Sequence, residues 1–88
     1  MSEFVIGDTV VFDPESFNPE YWDKLSQDDK VKYYGNLYNF IADKPYLFTF
    51  IGYHRPQYGH CILVNMITQK VETMRHSSNF RIATEDEC

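Results

Sequence analysis

From Lys44 onward the sequence changes period, and this change constrains the fold more than any other feature. Residues 46–53, 58–66, 69–76 and 80–83 are short runs of aromatic and β-branched residues divided by turn formers, which is strand patterning rather than helix patterning. A fifth strand is predicted at 5–12, where Gly7-Asp8 turns into Thr9-Val10-Val11-Phe12 and Asp13-Pro14 stops the run. The spacing confines helix to about 19–35. There Asn18 precedes Pro19 and Glu20, an N-cap with proline at the first helical position, and Ser26-Gln27-Asp28-Asp29 supplies a second cap with an acid three residues on. Gly35 is a natural stop after Tyr34.

Eighty-eight residues build one core. A chain this short buries only about 60 to 65% of the surface it exposes when unfolded, which excludes an elaborate cofactor site in a separate substrate domain. An aromatic content of 17% offsets the small size, because such rings bury large areas and pack edge to face. No repeat, linker or low-complexity stretch divides the sequence, so 1–88 reads as a single domain with a helical insertion at about 14–43 and a frayed acidic tail at 84–88. Residues 54–59 and 67–70 read as the connecting loops and 77–79 as a single turn before the last strand. Five strands with that break before the last, and a long excursion after the first, resemble an SH3-like, partly open barrel. The alternative is a small α+β roll with the helical segment across one sheet face.

The formal charge of −5 is unevenly placed: residues 1–44 hold nine acids against four lysines, and residues 45–88 hold four acids against four bases. An acidic chain without a basic cluster repels phosphate, so nucleic acid is not an expected partner, whereas a protein with a basic patch is. No run approaches the roughly 18 apolar residues of a membrane span. The start lacks the pattern of a signal peptide, and Cys61 and Cys88 form no spaced pair, so a reducing cytoplasm and no membrane contact are expected.

His54, His60, Cys61 and His76 are the metal-capable set, but neighbours on a strand face opposite ways and no Cys-x-x-Cys or His-x-x-x-His spacing occurs, so no metal or cofactor is predicted. Cys61 opens the apolar run Ile62-Leu63-Val64 and reads as a small hydrophobe rather than a nucleophile. Glycine-rich phosphate loops are absent. No catalytic residue is predicted.

Leu47 to Ile51, His54 to Val64, Val71 to His76 and Asn79-Phe80-Arg81, with Tyr33-Tyr34-Gly35 upstream, resemble small tailed-bacteriophage proteins that have no assigned activity. The resemblance covers roughly residues 30–88. It implies phage origin, expression in the cytoplasm of a bacterial host and, by analogy with many early phage products, binding and modulation of a host or defence protein.

The expectation is therefore a protein-binding module rather than an enzyme, with a virion component assembled as a homo-oligomeric ring or decoration, or a metal- or thiol-dependent enzyme, as alternatives. Two surfaces are candidates. His54, Arg55, Gln57 and Tyr58 surround Pro56, which stiffens the connection while Arg and Tyr supply favoured interface chemistry. Tyr21, Asp23, Asp28 and Tyr33 lie in the helical insertion, whose aromatic run Tyr21, Trp22, Tyr33, Tyr34, Tyr38 and Phe40 divides between core, docking surface and a groove or cage for cations. With Glu20 and Asp29, the two aspartates also form an acidic face that can contact a basic partner or imitate DNA phosphates.

Overall fold

A computed structural model describes residues 4–87, including all their side chains except those of Ser16 and Phe17. The chain is mainly β. Its strands are β1 (Thr9–Phe12), β2 (Tyr38–Asn39), β3 (Lys44–Pro45), β4 (Leu47–Arg55), β5 (His60–Asn65), β6 (Val71–His76) and β7 (Phe80–Ile82). Three short helices, α1 (Pro14–Phe17), α2 (Pro19–Lys24) and α3 (Gln27–Tyr34), follow β1.

Five strands form one antiparallel sheet in the order β6-β5-β4-β1-β7. β4, β5 and β6 are a meander, and β7 returns through a 3-10 turn at Ser77–Asn79 to lie beside β1. The nine-residue β4 is kinked twice: Phe50 faces Leu63 but Gly52 faces Ile62, and Tyr53 faces Cys61 but Arg55 faces His60. Each shift inserts one extra residue into β4, and such bulges bend a strand and sharpen its twist. β6 carries a similar insertion, since Arg75 faces Cys61 and Glu72 faces Leu63. On one face of the sheet Val10, Phe12, Phe48, Phe50, Cys61, Leu63 and Phe80 are buried, and Trp22 and Leu37 of the insertion join them in the core. Phe12 meets Trp22 edge-on at 5.6 Å and stacks on Tyr34 at 5.1 Å, so one ring ties the insertion to the sheet.

The caps work as the sequence predicts: Asn18 Oδ1 accepts from the Tyr21 N–H and Ser26 Oγ from the Asp29 N–H. Gly35 ends α3 with an ordinary helical φ of −62°, so its freedom to turn is not used. The glycine is needed for space, because a Cβ there would stand 2.5 Å from the Val31 carbonyl oxygen.

Four expectations change. Residues 5–8 are a turn, not strand, closed by the Val5 N–H donating to Asp8 Oδ2 at 2.9 Å, although Phe4 is still buried against Phe50. The insertion contains α1 and the β2–β3 hairpin, neither of which its mixed composition signals. His54 and Arg55 belong to β4, so the connection is only the 3-10 turn Pro56–Tyr58 and Gly59, whose φ of 72° suits glycine. The tail is not frayed as far as Glu87: the Arg81 guanidinium donates to both Glu87 carboxylate oxygens at 2.7 and 2.9 Å, and the Thr84 N–H donates to the same carboxylate. Cys88 lies outside the described residues.

Candidate functional site

The helical insertion does not seal against the sheet. Between α2, α3, the β2–β3 hairpin and the end of β1 lies a cleft of about 360 Å³. Phe12, Trp22, Tyr38 and Phe40 wall it, and Asp13, Glu15, Asp43, Lys30 and Arg81 stand around it.

The hairpin aims two of these groups. Asn39 Oδ1 accepts from the Ile41 and Ala42 N–H groups, which folds the chain back after Phe40. Asp43 then takes a φ of 54°, a left-handed conformation that aspartate tolerates better than most residues. That geometry brings its carboxylate to the Tyr38 hydroxyl, which donates to Oδ1 at 2.8 Å. Burial first, then the hydrogen bond and charge of Asp43 and the charge of Glu15, push the Tyr38 phenol up to about 12. Those carboxylates therefore make the field at the Tyr38 hydroxyl negative. Asp13 and Glu87 both hold Arg81, so this cation is already engaged.

The Trp22 ring is hemmed in. Phe12 and Tyr34 meet it edge-on, Phe40 lies nearly parallel at 6.3 Å, and the Lys30 ammonium stands 4.8 Å from its centroid. Only 9% of the residue is exposed.

The structure separates the residues predicted to bind. Tyr21 is half-exposed and lines a smaller depression of about 200 Å³ with Asn18, Tyr34 and Asn79, adjoining the cleft across Phe12 and Pro14. Burial and the neighbouring Tyr21 hydroxyl raise the Tyr34 phenol above its ordinary value. Asp23 and Asp28 are exposed on α2 and α3 and line neither recess. Tyr33 is exposed at the far end of α3, where its carbonyl accepts from Arg75 of β6 at 3.4 Å.

His54, Arg55, Gln57 and Tyr58 are all exposed at the far end of β4. At about 3.3 Å per residue the nine residues of β4 span up to about 26 Å, and the cleft, lined by Phe12 and Pro45, lies beyond the opposite end of the strand. Beside this tip His60 and His76 stand opposite each other with ring centroids 4.7 Å apart, and Tyr58 lies 5.9 Å from His60. His60 Nδ1 is buried without a hydrogen-bond partner. Among the described residues no three of His, Cys, Asp and Glu come together in a metal-binding group. Cys61 is fully buried, donates its thiol to the Arg75 carbonyl at 3.2 Å and is pushed up to about 11 by burial. At neutral pH it is a thiol, the form that does not attack.

Sequence reasoning found the aromatic residues of the cleft but not its carboxylates. Asp13 reads, with Pro14, as the stop of the first strand, and neither Glu15 nor Asp43 is singled out by its sequence surroundings. Among the described residues no helix is long and apolar enough to cross a membrane. Comparison with known proteins gives no match: no protein-family model, curated protein or solved structure is similar to this chain.

Proposed function

We propose that this chain is a non-enzymatic binding module that seats a basic, extended segment of a partner protein in the cleft between the helical insertion and the sheet. The observation that carries the reading is the combination in one recess of four aromatic walls with Glu15 and the Asp43–Tyr38 pair. Aromatic faces and carboxylates attract the same ligand charge, and a recess of this size accepts side chains rather than a whole domain. The acidic first half of the sequence adds long-range attraction of the same sign.

The exposed tip, with Arg55 and Tyr58, is a second contact for any partner that spans β4. The meander with its last strand returned beside the first through one 3-10 turn supports the SH3-like description. A host or defence protein as that partner is part of the same proposal and follows the expectation drawn from residues 30–88.

The test is affinity capture from a bacterial lysate with the wild-type chain, Glu15→Gln/Asp43→Asn and Tyr58→Ala as parallel baits. A cleft partner is retained by the wild type, lost from the double variant and reduced by Tyr58→Ala. Undiminished retention by the double variant removes the cleft from the interface and leaves the tip.

A further inference from the structure

Lys30 is placed oddly for a lysine on an acidic molecule. It lines the same cleft as Asp13, Glu15 and Asp43, yet among the described residues no carboxylate lies within ion-pair distance of it. Its ammonium rests over the Trp22 ring instead. Lys30 is half-exposed, so its hold on the ring is weak and its long stem can swing into solvent without disturbing the core. α3 itself has no buried residue.

We infer that Lys30 is a built-in placeholder: it covers Trp22 in the free protein, and an alkylammonium group, a lysine side chain of the partner segment, replaces it when the cleft is occupied. The inference rests on the function proposed above and specifies which cation the cleft takes. The site already shows its own ligand chemistry, since the group found on the ring is an alkylammonium at cation–π distance and the Asp43 and Glu15 carboxylates line the same cleft, where they attract a second cation of that kind. Affinity is then reduced by the fraction of time that Lys30 occupies the ring, and removing Lys30 restores it.

Trp22 is the sole tryptophan, so its fluorescence reports on this cleft alone. The experiment compares wild type, Lys30→Gln and Lys32→Gln. Lys32 is on the same helix but over Tyr33, so its loss changes net charge equally without touching Trp22. Without ligand, acrylamide quenching of Trp22 rises in Lys30→Gln only. The probe is a 12-residue Gly/Ser peptide carrying three lysines, with a norleucine version as the neutral control. Lys30→Gln binds the lysine peptide at least about threefold tighter than wild type, Lys32→Gln binds within twofold of wild type, and the norleucine peptide binds none of them.

Unchanged quenching in Lys30→Gln, or equal tightening in both variants, overturns the placeholder role while leaving the binding function intact. Increased quenching in Lys30→Gln without binding of the lysine peptide overturns the basic-segment function and the replacement step together. Equal binding of the norleucine peptide makes the cleft an apolar groove and removes the cation from the account.

Discussion

At the residue scale Trp22 connects stability with the cleft. It touches Phe12 of the sheet, Tyr34 of α3 and Phe40 of the hairpin, and each contact joins a different element. Trp22→Ala is expected to cost about 3 kcal/mol, because three neighbouring rings cannot all close the resulting cavity. Tyr21→Ala on the preceding, half-exposed position is expected to cost under about 1 kcal/mol. Urea midpoints of the two variants measure the contrast, and similar losses would mean that Trp22 is peripheral. The burial of Trp22 and Cys61 was legible, since each sits at an apolar position of its element. Asn65 was not legible: buried within β5, it spends its side-chain oxygen on the Ile67 and Thr68 N–H groups of the β5–β6 turn. Strand patterning treats such a residue as a break in alternation and cannot tell that it caps the turn.

At the scale of elements, the five principal strands were readable because period-two patterning continues wherever one face is buried. The β2–β3 hairpin was not, because two-residue strands hold too little pattern and their turn rests on one Asn39 side chain. The C-terminal segment was misread for a related reason. Three acids in a row look like solvated tail, and nothing local reveals that Glu87 meets Arg81.

That pair makes a pH prediction. Hydrogen bonds from Arg81 first, then from the Thr84 backbone, lower the Glu87 carboxyl from 4.5 to about 2. A carboxyl depressed in the folded state contributes its full stabilisation above pH 4.5 and loses it as pH falls toward 2. Wild type is therefore expected to melt above Glu87→Gln at pH 7, with the gap closing progressively between pH 4.5 and pH 2. A gap independent of pH in that window would show that the segment is held by something other than the ion pair.

At the scale of the whole molecule, stability is expected to be graded from the sheet outward. β4 and β1 have neighbours on both sides, and Phe48, Val10 and Leu63 are fully buried, whereas α3 contributes no buried residue. Amides of β4 and β5 should exchange with solvent only on global unfolding, and those of α3 through cheaper local opening. Hydrogen exchange under native conditions checks this, and equal protection of α3 would place the insertion inside the cooperative core. Such grading suits the proposed site, because the cleft is formed where α3 meets the end of β1, a strand paired on both sides.

The extra residue in β6 has a consequence for crowded solutions. An open sheet presents unpaired backbone at its borders, and a straight, apolar border strand is a template for copy after copy of the same chain. β6 exposes Val71 and Met74, yet the insertion opposite Cys61 and Leu63 throws its hydrogen-bonding groups out of line and brings Glu72 and Arg75 within 3.1 Å of each other. A strand so bent cannot be copied flat by a neighbour. Such an irregular border is a poorer template for flat stacking of copies than a straight strand of the same composition, and an aggregation assay at high concentration on a variant lacking Thr73 is expected to show faster fibre growth than the wild type.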